Sequence, residues 1–153
     1  MEPLNKAGPV SRAVLFFRSS PRIWLALWAA GAVVTAILYL LPETAPPGEY
    51  QADKFIHLIV FGALGVPLRS AASRSRDFAR LVAINLALAA GLEFAQSFVP
   101  GRQFAMFDIA ANLFGLGIGI VVGIRIERVA GRWLRTHQAA WSTTTQLRPT
   151  RAK

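Results

Sequence analysis

The 153-residue sequence contains no cysteine, and only 16% of its residues are charged. The absence of cysteine excludes disulfide bonds, thiolate zinc sites and a cysteine nucleophile. Soluble domains carry about 25% charged residues, so this deficit predicts an integral membrane protein, as does the 54% share of hydrophobic residues. Acidic residues are scarce, with 8 Asp and Glu against 17 Lys and Arg, and the positions of the basic residues decide what the net charge of +9 means.

Four apolar segments predict an all-α bundle of four transmembrane helices. The helices are expected at about residues 23–41, 53–69, 78–99 and 104–124. A secretory signal peptide is the alternative for the first segment, but its apolar region would be shorter, about 7–15 residues. Trp24, Trp28 and Tyr39 in that segment are typical of interfacial aromatic residues. The second segment is the shortest, so a buried or re-entrant segment is an alternative to a full span.

The basic residues lie almost entirely at one end of these helices. All but Lys54 and Arg102 fall in the N-terminal arm, in the loop after the second helix or in the C-terminal tail. The positive-inside rule therefore predicts that both termini are cytoplasmic. It gives a basic cytoplasmic arm at 1–22, a four-helix domain at 23–124 and a basic, partly disordered cytoplasmic tail at 125–153. The net charge then reflects topology, and no nucleic-acid partner is expected.

Ionisable and amide side chains concentrate at the opposite, outward end of the last three helices. They come from four separate pieces of sequence: Asp53, Lys54, His57, Glu93, Gln96, Arg102, Asp108 and Asn112. A charged residue at the bilayer centre costs about 2.5–3.5 kcal/mol on insertion scales, so such residues face the bundle interior and have partners. We therefore expect these eight residues to form one outward-facing ligand-binding site. The alternatives left open are a helix cap at Asp53 and Lys54 and a structural ion pair between Glu93 and Arg102.

A stripe of small residues follows the polar residues of the fourth helix. Its members are spaced four apart, at Ala111, Gly115, Gly119 and Gly123. Small residues at this spacing let helix backbones approach closely, so the stripe is predicted to be a packing face. It also offers a face through which an oligomer could form.

Three motifs in this order resemble those of the VanZ-like family, small bacterial membrane proteins named after a teicoplanin-resistance determinant. They are "DKFIH" from Asp53, "EFAQSFVPGR" from Glu93 and "DIAANLFG" from Asp108. The sequence departs from the family at Phe61, where many members carry tyrosine. The resemblance implies a multi-pass protein of the bacterial plasma membrane, a role in the cell envelope and, in some members, antibiotic resistance of the teicoplanin type.

Two functions fit these residues. In the first, a non-enzymatic protein binds an anionic lipid headgroup, a lipid-linked cell-wall precursor or a glycopeptide, with membrane lipids as partners. In the second, a membrane-embedded hydrolase or transferase acts on such a headgroup, with His57, Glu93 and Asp108 as candidate catalytic residues. No cofactor is expected. A metal ion held by His57, Glu93 and Asp108 is disfavoured, because the site contains a single histidine.

Overall fold

The computed structural model describes residues 20–41, 50–102 and 104–146. Within these ranges the chain is helical and has no strand, and its elements are α1 Pro21–Tyr39, α2 Tyr50–Gly65, α3 Leu68–Ala71, α4 Ser75–Gln96 and α5 Met106–Gln146. Four stretches are long and apolar enough to cross a membrane: Pro21–Tyr39, Asp53–Ala71, Ser75–Gln96 and Met106–Thr136. The all-α fold with four spanning segments is confirmed. Most of the predicted N-terminal arm lies outside the described residues, and the cytoplasmic position of both termini stays a prediction.

The second spanning stretch is interrupted near its end by a turn at Val66 and Pro67. Proline has no backbone N–H and disfavours the helical conformation in the residue before it, so α2 ends at Gly65. The chain resumes as the short α3, whose Leu68 and Ala71 are buried in the bundle. The single helix expected at 53–69 is therefore two consecutive helices within one span.

The last helix is much longer than the sequence predicted. It was expected to end at about residue 124, where the apolar composition ends, yet α5 continues to Gln146. The sequence has no proline between Pro100 and Pro149. A change from apolar to basic composition marks the edge of a membrane but does not terminate a helix, because arginine and alanine are good helix formers.

Helices α2 and α5 pack with their backbones in close contact. A Cβ atom at Gly115 would collide with the carbonyl oxygen of Leu58, and one at Gly119 with that of Gly62. Gly123 meets the carbonyl oxygen of Val66 in the same way. The glycines of the predicted stripe thus lie against α2 of the same chain. An oligomer formed through this face would have to displace that contact, and it stays a prediction.

The turn between α4 and α5 brings their polar ends together. Gly101 has φ 83°, a left-handed backbone conformation that side chains disfavour, and it allows the chain to reverse directly after Pro100. The C-terminal ends of α1 and α4 and the N-terminal ends of α2 and α5 consequently meet at one end of the bundle. Large exposed apolar side chains such as Phe55, Phe94 and Phe114 cover the outside, as expected for a surface in contact with lipid.

Candidate functional site

The eight predicted site residues, called the polar cluster below, lie at the end of the bundle where α1, α2, α4 and α5 meet. Five of them are buried: His57, Glu93, Gln96, Asp108 and Asn112. The other three form a partly exposed rim, with side-chain exposures of 32% for Asp53, 41% for Lys54 and 18% for Arg102. The sequence therefore brings charged rim residues and a buried polar floor to one place.

Asn112 lies at the centre of the buried floor and connects three helices. Its Oδ1 atom lies 3.2 Å from His57 Nδ1 of α2 and 3.4 Å from the hydroxyl oxygen of Tyr39 of α1. Because Oδ1 accepts hydrogen bonds, both the imidazole Nδ1–H and the tyrosine hydroxyl donate to it. His57 Nε2 lies on the other side of the ring and faces Asp53.

Tyr39 is a site residue that the sequence interpretation missed. Its side chain is 5% exposed, its ring centroid lies 4.6 Å from that of His57, and its backbone carbonyl accepts a 3.0 Å hydrogen bond from Gln96 Nε2. The sequence placed it at the membrane interface, which is where tyrosine is enriched. The Tyr39 ring also contacts Phe61. Tyr39 of α1 therefore supplies a phenol hydroxyl beside position 61, where the phenylalanine side chain has none.

Glu93 connects α4 to the beginning of α5. Its Oε1 atom accepts a 2.7 Å hydrogen bond from the backbone N–H of Ala105, which directly precedes α5. A carboxylate is stabilised there by the unpaired N–H groups and the dipole of the helix. The second oxygen, Oε2, is buried and has no hydrogen-bond partner in the described part of the chain.

The charged side chains of the rim face one another at distances longer than hydrogen bonds. Asp53 Oδ1 lies 3.6 Å from His57 Nε2 and 3.7 Å from Arg102 Nη1, and Lys54 Nζ lies 3.9 Å from Asp108 Oδ1. Hydrogen bonds between such groups are usually about 2.7–3.2 Å long. The side chains are therefore close enough to attract one another yet leave short gaps that a ligand atom could bridge.

Asn85, in the inner half of the bundle, is a buried polar residue whose side chain has hydrogen-bond partners. Asn85 is buried, donates a 2.8 Å hydrogen bond to the Leu81 carbonyl and accepts one of 3.4 Å from Trp28 Nε1. The polar cluster differs, because Asp108 Oδ1 and Asn112 Nδ2 are buried without a hydrogen-bond partner among the described residues. Buried polar atoms are normally paired with protein groups or ordered water, so these two atoms distinguish the polar cluster from Asn85.

One subset of the cluster has the arrangement of a metal site. Ligand atoms of Asp53, His57 and Asp108 all lie within 4.8 Å of one another. This trio differs from the set of His57, Glu93 and Asp108 considered from the sequence, because Asp53 takes the place of Glu93.

Tyr39→Phe is expected to weaken the bundle only slightly. The change removes one hydrogen bond of 3.4 Å to Asn112 and keeps the ring against His57 and Phe61. Hydrogen bonds between membrane helices average about 0.6 kcal/mol, so we expect a loss of this size in the free energy of unfolding in mixed micelles. A loss several times larger would show that the hydroxyl does more than donate this one bond.

Comparison with known proteins agrees with this architecture. The family model described as VanZ/LLP1 matches residues 5–127, which include the whole polar cluster. An uncharacterised protein of Schizosaccharomyces pombe is 31% identical over 113 residues, covering 69% of this chain and 68% of the yeast protein. No solved structure matches the chain.

Proposed function

Because the chain belongs to the VanZ/LLP1 family of membrane proteins, we propose that its polar cluster binds a phosphate-bearing headgroup at the membrane surface. The headgroup belongs to an anionic lipid or to a lipid-linked cell-wall precursor, and both offer the same phosphate oxygens. The protein acts in this proposal as a binding protein of the bacterial plasma membrane, with the cluster facing outward and both termini in the cytoplasm.

The observation that carries the proposal is the convergence of two cations on one buried polar floor. Lys54 comes from the first turns of α2 and Arg102 from the turn before α5, and both side chains are partly exposed. Arginine presents a planar fork of N–H donors that matches phosphate oxygens, and lysine contributes a mobile point charge. Arg102 Nη1 lies 3.7 Å from Asp53 Oδ1, and Lys54 Nζ lies 3.9 Å from Asp108 Oδ1. At these distances each cation can also contact a further anion.

The floor contributes one neutral donor. Asn112 Nδ2 is buried without a hydrogen-bond partner among the described residues, whereas the amide of Gln96 already donates to the Tyr39 carbonyl. We therefore assign direct headgroup contacts to Arg102, Lys54 and Asn112. The carboxylate of Asp53 attracts Arg102 and that of Asp108 attracts Lys54, which keeps the two cations at the site.

The organism of the similar protein favours a headgroup common to all membranes. A yeast makes no peptidoglycan, yet its protein aligns with 69% of this chain. A phosphate on an ordinary lipid is available in both kinds of cell, whereas a wall precursor or a glycopeptide is not. The antibiotic-resistance role implied by the family name is a narrower proposal within the same binding function.

The test is the retention of lipid by the purified protein. We expect wild type, incubated with equal amounts of phosphatidylglycerol and phosphatidylethanolamine, to retain the anionic lipid preferentially in native mass spectrometry. Arg102→Glu should lower this preference at least about tenfold, because a hydrogen bond to a charged group contributes about 1.5–3 kcal/mol. An unchanged preference in this variant would contradict the proposal.

Arg80→Glu is the matched control. Arg80 is highly exposed, pairs with Asp77 and lies in the first turns of α4, at the end of the bundle opposite the cluster. Its reversal makes the same change of net charge and should leave the retained lipid unchanged. The same spectra separate the other possibilities: a lipid-linked wall precursor retained in preference to phosphatidylglycerol names that source. A converted lipid made by wild type but not by Glu93→Gln would instead establish the hydrolase or transferase.

A further inference from the structure

The charges of the polar cluster do not by themselves favour an anion. The cluster contains three carboxylates, on Asp53, Glu93 and Asp108, but only two permanent cations, on Lys54 and Arg102. Counted by formal charge, a phosphate group would add negative charge to a site in which carboxylates outnumber permanent cations. A further positive charge among these side chains would strengthen headgroup binding.

We propose that Asp53, His57 and Asp108 bind a divalent transition-metal ion, Zn²⁺ or Mn²⁺, which supplies this charge. The inference rests on the proposed function for its purpose, since the ion would neutralise two carboxylates and leave open coordination positions for a phosphate oxygen. The binding of the ion itself can be measured without any lipid.

The distances among the three side chains suit a metal ion. His57 Nε2 and Asp53 Oδ1 are 3.6 Å apart, too far for a good hydrogen bond. Two ligands of a tetrahedral ion with bonds of about 2.1 Å are separated by about 3.4 Å. Since ligand atoms of all three residues lie within 4.8 Å of one another, small side-chain rotations would bring Asp108 to the same ion.

Asn112 prepares His57 for this role. Nδ1 of the ring lies 3.2 Å from Asn112 Oδ1 and donates to it, so Nε2 is the ring nitrogen that faces the carboxylate of Asp53 and can bind an ion there in the neutral ring. A second hydrogen bond that fixes the ring of a metal-binding histidine is common in metal sites, where it orients the ligand.

Asp108 provides an independent observation that points to a ligand. The residue is 6% exposed, and its Oδ1 atom has no hydrogen-bond partner among the described residues. The ammonium group of Lys54 lies 3.9 Å away, too far to donate a hydrogen bond to it. A buried carboxylate oxygen in this condition is costly, and coordination to an ion would compensate for its lost hydration.

The ligand types select the ion. One imidazole and two carboxylates suit Zn²⁺ and Mn²⁺, whereas Mg²⁺ and Ca²⁺ prefer oxygen ligands alone. With three protein ligands the coordination sphere stays open, as it does in sites that bind a substrate or a water molecule.

The experiment measures metal uptake by the full-length protein in neutral detergent, stripped with a chelator and free of added lipid. We expect one Zn²⁺ or Mn²⁺ ion per chain by elemental mass spectrometry, with a rise in the melting temperature that Mg²⁺ does not produce. His57→Ala should weaken the affinity at least tenfold, while His137→Ala, which removes the second of the two histidines in the sequence, should not. Equal uptake by wild type and His57→Ala, or no uptake above the buffer level, would overturn the proposal.

Asp53→Asn is the second variant, for use if His57→Ala does not fold. Asp53 lies on the partly exposed rim, so its substitution should disturb folding less than that of the buried His57. Asp53→Asn should lose affinity to a similar degree, whereas Asp77→Asn, at the other end of the bundle, should bind as wild type does. Co²⁺ provides a second readout, since its visible absorption spectrum should change in wild type and not in Asp53→Asn. If Asp53→Asn binds as tightly as wild type and gives the same Co²⁺ spectrum, the assignment is wrong.

The metal-uptake experiment and the lipid-retention experiment can give independent results. Metal uptake without lipid retention would support the ion site and contradict the proposed function. Retention of anionic lipid by chelator-treated protein that binds no metal would support the headgroup proposal and contradict the ion site.

Discussion

Gly119→Ala is expected to lower the free energy of unfolding by about 3 kcal/mol, and Gly119→Leu to prevent the bundle from forming. A Cβ atom at this position would collide with the carbonyl oxygen of Gly62 and would lie 3.0 Å from the Cα atom of Gly65. Both neighbours are backbone atoms of α2, which cannot rotate away as a side chain would. Overpacking typically costs about 1–3 kcal/mol, and here it acts where two backbones touch, so we expect the upper end.

The loss should extend to the polar cluster. Helix α2 contributes Asp53, Lys54 and His57, and α5 contributes Asp108 and Asn112, so the glycine contact holds the two halves of the cluster together. Unfolding in mixed micelles, followed by the fluorescence of the four tryptophans, gives the free energy directly. Retention of anionic lipid by Gly119→Ala should fall together with stability.

Gly117→Ala is the matched control for this prediction. Gly117 lies on the same helix, two residues before Gly119, and a Cβ atom there would meet nothing within 4 Å. Alanine is favoured over glycine inside a helix by about 0.8–1.0 kcal/mol, so this variant should be as stable as wild type or slightly more stable. Equal behaviour of the two variants would mean that α2 and α5 do not pack as closely as described.

The spanning helices could be predicted from the sequence because the membrane acts on composition. Long apolar runs are required to cross a bilayer, and charged residues are excluded from its centre, so both leave a strong signal in the chain. The ends of the helices depend on local chemistry. The break after α2 follows from Pro67, and the extension of α5 to Gln146 follows from the absence of proline after the apolar run.

The members of the polar cluster could be predicted for a related reason. An ionisable residue inside a membrane helix is costly, so each one stands out from its neighbours. Tyr39 did not stand out, because a tyrosine at the end of an apolar segment is ordinary in membrane proteins. The partners could not be predicted either, since they depend on the rotation and register of helices that are distant in sequence. Glu93 meets the N–H of Ala105, and Arg102 lies beside Asp53.

These hydrogen bonds and ion pairs divide the residues of the polar cluster into two groups. Glu93 and Gln96, on the last turn of α4, both bind backbone groups of neighbouring segments, the N–H of Ala105 and the carbonyl of Tyr39. Asp53, Lys54, Arg102 and Asp108 instead contact one another's charges at longer range. The first group therefore joins the helices, and the second group is the part that we propose contacts a ligand.

Glu93→Leu is expected to destabilise the protein by about 2–3 kcal/mol, while Glu93→Gln should cost much less. Leucine fills the space but leaves the partly buried N–H of Ala105 without its acceptor, and an unsatisfied buried donor costs about 1–3 kcal/mol. Glutamine retains an oxygen at the position of Oε1 and can accept the same bond. Unfolding in mixed micelles measures both changes. Phe94→Leu, at the adjacent lipid-facing position, is the control for introducing leucine here.

The glutamine variant also separates two roles of Glu93. If the residue only joins α4 to α5, Glu93→Gln should keep both the stability and the lipid retention of wild type, because hydrogen bonding is preserved and only the charge is lost. If the negative charge contributes to the site, retention or turnover should change while stability does not. Equal destabilisation by leucine and glutamine would contradict the bond to Ala105 as the source of the effect, because glutamine differs from leucine there by its ability to accept that bond.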